Sequence, residues 1–109
     1  MRPPRGSLVL IRVPFVQTGG SKIRPAMVVF DCGDADFVAA SITSQKAGSA
    51  CDVELNDWLS ASLNVASTVR LDKVAVLGWS DVIKSLGRVS DRDSTRCGEV
   101  LCHIYCVQS

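Results

Sequence analysis

Short apolar runs rich in β-branched residues, separated by turn-forming residues, are the feature that most constrains the fold of this chain. Helical spacing begins only after residue 89, where apolar side chains recur at three- and four-residue intervals. Many strands followed by one helix predict a mainly-β (α+β) fold, a small twisted antiparallel sheet or barrel with a C-terminal helix at one end. The predicted strands are residues 8–15, 26–30, 37–42, 52–55, 65–77 and 82–86.

The connections between these runs are predicted from their turn residues. The glycine pair in residues 16–25 indicates a flexible loop, and the turn after residue 30 indicates a hairpin between the second and third strands. A single helical turn is expected over residues 57–63. Ser90 is the candidate N-cap of the last helix, with Asp91 and Asp93 in its first turn.

The length of 109 residues is usual for one domain, and we expect a single domain over residues 1–109. Hydrophobic residues make up 47% and charged residues 21%, a balance that supplies a core and excludes intrinsic disorder. Arg12 and Pro14 interrupt the first apolar run, which lacks a signal-peptide cleavage site, and no run approaches the ~18 residues of a membrane helix. These features predict a soluble, cytoplasmic protein with no membrane partner.

The five cysteines are odd in number and accompany no secretory signal, so we expect reduced thiols rather than a disulfide framework. Cys97, Cys102, His103 and Cys106 suggest a zinc site, but their spacing is not C-x2-C and apolar residues interleave with them. Free cysteine is among the most buried residue types. We therefore expect buried thiols, no metal site and no cofactor.

The net charge is only +1, but basic and acidic residues are unevenly distributed. Residues 1–50 carry six basic and three acidic side chains, whereas residues 51–109 carry six basic and eight acidic ones. The first 30 residues contain no acid. This asymmetry is compatible with a phosphate-binding face and also with a solvated surface.

Several catalytic arrangements are excluded by the residues present. His103 is the single histidine, so no pair of histidines is available as acid and base, and its place in the predicted helix favours a structural role. The stretch Gly19-Gly20-Ser21-Lys22 lacks the G-x-x-x-x-G-K-[ST] pattern of a P-loop. No nucleotide-hydrolase signature remains.

Two constellations are candidate sites. In one predicted strand, Arg70 and Asp72 are two residues apart and project from the same face, so a cation and a carboxylate are neighbours. Another predicted strand ends in Thr43, Ser44 and Gln45, whose hydroxyl and amide groups can bind phosphate or base edges. The first pair is also compatible with a surface ion pair, and the second group with a strand end that enters a turn.

Six segments along nearly the whole chain carry a family resemblance. They are R-G-S-L-V-L from residue 5, P-F at 14–15, G-S-K-I-R-P-A-M-V-V from 20, I-T-S-Q from 42, V-R-L-D-K from 69 and G-R-V-S from 87. Together they resemble the MazF/PemK family of toxin endoribonucleases, and R-P-A-x-V-V with I-T-S-Q is the most specific part. The resemblance implies an SH3-like barrel with a C-terminal helix, a homodimer, and metal-independent cleavage of single-stranded RNA at short sequences.

The resemblance also implies a site and partners. The catalytic residues would be Arg24 of the R-P motif, Thr43 of the T-S motif, and Arg70 with Asp72 of the R-x-D-K motif. A cognate antitoxin of a type II toxin–antitoxin system would inhibit the enzyme through an acidic, partly disordered segment, and the toxin–antitoxin complex would bind operator DNA. The RNA-binding residues would be Lys22, Thr43, Ser44 and Gln45.

Two departures from the family pattern concern residues near this site. Ser7 stands where an acidic residue often follows the opening glycine, and the loop at residues 16–21 lacks the histidine of some relatives. The first departure alters an ion pair near the site, and the second removes a loop histidine from consideration.

Attack of a ribose 2′-hydroxyl on its own phosphate needs a base, positive charge on the phosphorane and a donor to the leaving 5′-oxygen. Asp72 is the candidate base. Arg24 and Arg70 stay protonated and suit bidentate phosphate contact, so they are assigned chiefly to electrostatic stabilisation, and one of them is the candidate acid.

Two alternatives come from other functional classes. One is a non-catalytic toxin of the same barrel type that poisons DNA gyrase, which the C-terminal residues 106–109 disfavour because such toxins resemble one another in ending with Trp-Gly-Ile. The other is a barrel that only binds a partner. The second alternative stays open, because a sequence cannot show that Arg24, Arg70 and Asp72 converge.

Overall fold

Six strands and one C-terminal helix make up the part of the chain that the computed structural model describes, residues 3–14 and 20–105. All pairs are antiparallel, and the strand order across the sheet is β4-β5-β3-β2-β1-β6. The predicted mainly-β fold with a C-terminal helix is confirmed. The elements are β1 (Ser7–Pro14), β2 (Ser21–Asp31), β3 (Asp36–Thr43), β4 (Asp52–Glu54), β5 (Thr68–Gly78), a 3-10 turn (Trp79–Asp81), β6 (Val82–Arg88) and α1 (Asp91–Tyr105).

The second strand begins earlier than the sequence predicts. Residues 21–25, assigned above to a loop, belong to β2 because they pair with β1 from Pro14↔Ser21 to Leu10↔Pro25. Pairing across the sheet overrides the turn propensity of Ser21 and Pro25. Of the remaining predicted loop, residue 20 is irregular, and residues 16–19 lie outside the described residues. The early start matters for function because it carries Arg24 into the sheet.

The sheet has a different hydrophobic cluster on each face, since side chains alternate along each strand. The helix face, which α1 covers, holds the larger cluster, including Leu8, Met27, Val69 and Leu71. On the opposite face, Phe37 stacks on Trp79 with ring centroids 4.2 Å apart. The rest of the opposite-face cluster is Val9, Ile11, Ala26, Val28 and Ala39.

A network of charged residues, here called the helix anchor, fixes the start of α1. The Asp93 carboxylate is 1% exposed and accepts the backbone N–H groups of Asn56 at 3.0 Å and Asp57 at 2.9 Å. Ser90 accepts the Asp93 N–H at 3.3 Å, which confirms it as N-cap, and donates its hydroxyl to Asp57. Arg92 binds both Asp57 carboxylate oxygens at 2.7 Å. The anchor therefore ties α1 to the segment that follows β4.

That segment differs from its prediction. Residues 57–63 form successive turns rather than a helical turn, with one helix-like bond from the N–H of Ala61 to the carbonyl of Asp57 at 3.2 Å. Ser62 has a positive φ of 69°, which a helix does not allow. The strand predicted from residue 65 begins only at Thr68, so residues 62–67 form a connection at the edge of the sheet.

Candidate functional site

The end of β3 creates a notch in the sheet beside β2. The pairing of β2 with β3 ends at Ala26 and Ser41, and just beyond it Arg24, two residues before Ala26, and Thr43, two residues after Ser41, line the same two cavities. Arg24 is exposed, and its guanidinium has no hydrogen bond or ion pair to any residue that the structure describes. A permanent positive charge therefore faces solvent at this notch.

Two cavities of about 360 Å³ each open beside the notch and share a wall of four residues, Arg24, Pro25, Ile42 and Thr43. Leu10 and Pro25 are paired, as are Ile11 and Arg24. Because Leu10 lines one cavity and Ile11 the other, the cavities lie on opposite faces of the sheet. The helix-face cavity is completed by Leu10, Ser44, Ser62, Leu63, Asn64, Val65, Ser67 and Leu86, and the opposite-face cavity by Ile11, Val13, Ala26, Ala39, Ser41, Arg70, Ala75 and Leu77.

The hydroxyl of Thr43, a residue of the shared wall, already makes one hydrogen bond. Its Oγ1 accepts the backbone N–H of Gln45 at 3.2 Å, so the hydroxyl oxygen is engaged while its proton is available to a ligand. The end of β3 therefore makes the turn that one interpretation of this segment predicted, and it keeps a hydroxyl proton for the phosphate contact that the other predicted. Thr43 can donate to a phosphate oxygen held beside Arg24.

Arg70 lines the opposite-face cavity with a carboxylate behind it. It pairs with Ser41 of β3 on one side and with Asp52 of the edge strand β4 on the other. The Arg70 Nε lies 3.9 Å from Oδ1 of Asp52, whose side chain is 6% exposed. That buried Oδ1 accepts no hydrogen bond within the described residues, whereas Oδ2 accepts the N–H of Gly48 at 2.8 Å. Asp52 is therefore placed to orient Arg70.

Three other predicted site residues line neither cavity, namely Asp72, Lys22 and Gln45. Arg70 and Asp72 do project away from the buried Val69 and Leu71, as the alternation predicts. Asp72, however, is exposed in an irregular part of β5, where the pairing with β3 jumps from Arg70 to Val74. The predicted RNA-binding residues Lys22 and Gln45 are exposed near Arg24 and Thr43 along their own chain segments and line neither cavity.

The cysteines are less buried than predicted. Of the four cysteines that the structure describes, Cys97 alone is buried, at 2% exposure, and burial raises the pKa of its thiol to about 11. Cys51 is half-buried, and Cys32 and Cys102 are exposed. Cys106 of the candidate zinc set lies outside the described residues, within which no cluster of three or more histidine, cysteine or acidic side chains fits a metal ion.

Two groups of site residues escaped the sequence reasoning. Asp52 was missed because its partner Arg70 is distant in sequence and β4 is only three residues long. The connection at residues 62–67 was missed because its valine and alanine favoured a strand, although serine and asparagine within it signal a loop. Both groups reach the site through the pairing of β5 with its neighbours.

Comparison with known proteins identifies the family of the chain. The family described as PemK-like, MazF-like toxin of type II toxin-antitoxin system matches residues 4–105. No curated protein matches the sequence. Within the described residues, no helix combines the length and apolar character that a membrane crossing requires.

Several solved structures have similar folds. A mycobacterial endoribonuclease in complex with its cognate antitoxin aligns with a TM-score of 0.77 at 18% identity, covering 99% of both chains. MazE-MazF from Deinococcus radiodurans aligns at 0.76 and 22% identity, covering 97% of this chain and 98% of that one. The Mycobacterium tuberculosis toxin MazF-mt6 aligns at 0.69 and 17%, covering 93% and 99%. At these identities the likeness establishes the fold, while the family match spans nearly the whole sequence, so the chain belongs to the PemK-like, MazF-like toxins of type II toxin-antitoxin systems.

Proposed function

We propose that this protein is a toxin endoribonuclease that cleaves single-stranded RNA at short sequences without a metal ion. The observation that carries the proposal is the shared wall, where Arg24, whose guanidinium has no partner among the described residues, lies beside Thr43 between two cavities. A cation and a hydroxyl donor on one wall can grip a phosphate, while adjoining cavities can receive the groups on either side of it.

The proposed reaction is attack of the ribose 2′-hydroxyl on the adjacent phosphorus. An O2′–P bond forms as the P–O5′ bond breaks, which leaves a 2′,3′-cyclic phosphate and a 5′-hydroxyl. Arg24 and Arg70 stabilise the negative charge of the phosphorane, and Thr43 donates to a non-bridging oxygen. These arginines are permanent charges, so the charge stabilisation does not depend on a metal.

Asp72 is assigned the role of general base that takes the 2′-hydroxyl proton, and one arginine is the acid for the leaving 5′-oxygen. Asp72 follows Arg70 on the same side of β5 and is open to solvent, so RNA that contacts Arg70 can extend to it. Lys22, Ser44 and Gln45 are proposed to contact the RNA beyond the scissile phosphate, since each is exposed within two residues of Arg24 or Thr43.

Mapping of cut sites tests the proposal directly. The purified protein is incubated with a long single-stranded RNA in EDTA, and the ends of the fragments are identified. Cuts at one short recurring sequence with 2′,3′-cyclic phosphate ends are expected. Intact RNA, with retained binding of a protein partner, would instead support a barrel that only binds a partner.

The proposed assembly is a cytoplasmic homodimer that a cognate antitoxin inhibits. Large apolar side chains remain on the surface, among them Phe30 at 61% and Val76 at 64% exposure, and both neighbour Val38 across the sheet. An acidic antitoxin segment would compete with RNA for Arg24 and Arg70, and the complex would bind operator DNA. Light scattering should give a dimer, the antitoxin and a noncleavable RNA should exclude each other, and antitoxin binding should weaken at high salt.

A further inference from the structure

We infer that the helix-face cavity is a nucleobase subsite in which the Asn64 amide reads the edge of one unstacked RNA base. The inference rests on the function proposed above and deepens it, because it names the group that selects the sequence next to the cut. Its starting point is the position of the cavity, which shares Arg24 and Thr43 with the proposed phosphate grip.

The cavity has the size and lining that a base requires. Its volume of about 360 Å³ falls within the ~300–1,000 Å³ typical of small-molecule sites. Leu10, Leu63 and Leu86 supply apolar surface for the faces of the ring, and Ser62 and Asn64 supply hydroxyl and amide groups for its edge. Single-stranded RNA is read in this way, by unstacked bases whose faces pack and whose edges form hydrogen bonds.

Asn64 suits base reading better than the other polar groups of this cavity. Its amide offers a donor and an acceptor side by side, the pattern that distinguishes bases by two simultaneous hydrogen bonds. The Ser67 hydroxyl is already committed, because it donates to the carbonyl of Val65 at 2.8 Å. Asn64 is exposed and its side chain has no hydrogen-bond partner within residues 3–14 and 20–105.

The backbone beside Asn64 is held in place before any ligand arrives. Ser62 adopts φ 69°, a conformation that costs a serine energy and persists when packing enforces it. The neighbouring Gly87 of β6 is packed so closely that a Cβ there would lie 2.9 Å from the carbonyl oxygen of Ala61. Leu63 donates its N–H to the carbonyl of Trp58 at 3.1 Å. A fixed rim allows Asn64 to discriminate between bases without first paying an ordering cost.

The experiment compares Asn64→Ala with Asn56→Ala, which removes the other asparagine of the chain, an exposed one outside the cavity. Both variants and the wild type cut an RNA pool randomised around the cleavage site. Asn64→Ala should lose about tenfold of the preference for one base at a single position next to the cut, while Asn56→Ala keeps the wild-type pattern. Asn64→Asp, which keeps the shape but removes the donor, should also change that position.

Two results would overturn the inference, and a second measurement separates it from the proposed function. An unchanged pattern in Asn64→Ala, or an equal loss on every sequence, would show that Asn64 reads no base. The same pool with 2′-O-methyl ribose cannot be cut and is selected by binding alone. A wild type that binds with an Asn64-dependent base preference but never cuts would refute the nuclease and keep the subsite, whereas no binding preference would refute the subsite.

Discussion

The helix anchor and the cavity wall both contain arginines, but they use them differently. In the anchor, Arg92 grips both oxygens of Asp57, and Arg96 lies 3.2 Å from Asp93. On the shared wall, Arg24 has no partner within the described residues, and beside it in the opposite-face cavity Arg70 has only a long ion pair of 3.9 Å to Asp52. Closely paired charges hold this fold together, whereas unpaired or loosely paired charges beside a cavity are available to a ligand.

The pKa values follow the same division. The hydrogen bond from Arg92 lowers the pKa of Asp57 to about 2, and the bond to Asp57 raises the pKa of Arg92. A charge that its neighbours stabilise in this way is poorly available to a substrate. The comparison therefore predicts that substitutions in the two regions separate stability from activity.

The largest expected effect is the loss of cleavage in Arg24→Ala. Its charge is proposed to stabilise the phosphorane, so the cleavage rate should fall about a hundredfold or more. The free energy of unfolding should change by less than about 0.5 kcal/mol, because the side chain is an exposed one. Arg92→Ala is the matched control and should lower stability while leaving cleavage by the folded protein intact. Equal cleavage by Arg24→Ala and the wild type would remove Arg24 from the mechanism.

The next effect is on stability and belongs to Asp93. Asp93→Ala leaves the backbone N–H groups of Asn56 and Asp57 without their acceptor, which should cost about 2 kcal/mol of unfolding free energy. Urea denaturation measures the change, and Asp91→Ala, which removes an exposed acid two residues earlier in the same turn of α1, serves as control. Cleavage per folded molecule should stay unchanged. A loss of cleavage at full stability would mean that the anchor is part of the site.

The sequence predicted which strands and helix form better than it predicted the residues at which they begin and end. Short apolar runs rich in β-branched residues located the six strands, and Ser90 located the helix start. The predicted start of β2 was wrong because Ser21 and Pro25 have turn propensity. They are extended because they pair with the neighbouring strand β1. Local composition cannot contain that information, since it depends on which strand lies alongside.

Some residues of the candidate site could be predicted from the sequence and others could not. The family resemblance named Arg24 and Thr43 as site residues, and the pairing of β2 with β3 brings the two together. Asp52 and Asn64 reach the site through contacts with segments distant in the chain, and no spacing rule relates them to Arg24. Asp72 is the opposite case, because the motif names it although it lines neither cavity.

A smaller effect is expected from Asp52, which acts through Arg70. If the buried carboxylate orients the guanidinium, Asp52→Asn should lower cleavage about fivefold, equivalent to about 1 kcal/mol. In an Arg70→Ala background the same substitution should have no further effect. Single-turnover cleavage by the four proteins of this cycle measures the coupling. Additive losses would mean that Asp52 supports the fold rather than Arg70.

The smallest effect is the pH dependence that Asp57 contributes to stability. The folded pKa of Asp57, about 2, lies below the unfolded value of about 3.9, so the folded state favours the carboxylate. Its contribution is therefore fully present above about pH 5 and is lost as the pH falls through about 4 toward 2. The Asp57 side chain is 26% exposed, and solvent screens its interaction with Arg92, which keeps the contribution small.

Asp57→Asn tests this contribution, because it keeps the shape and removes the titration. The difference in unfolding free energy between wild type and variant should be constant from pH 7 to about 5 and shrink toward zero near pH 2. A difference that stays constant down to pH 2 would show that Asp57 stabilises α1 through packing rather than charge. Ion pairing would then no longer explain why the arginines of the helix anchor stabilise the fold while the arginines beside the cavities are open to RNA.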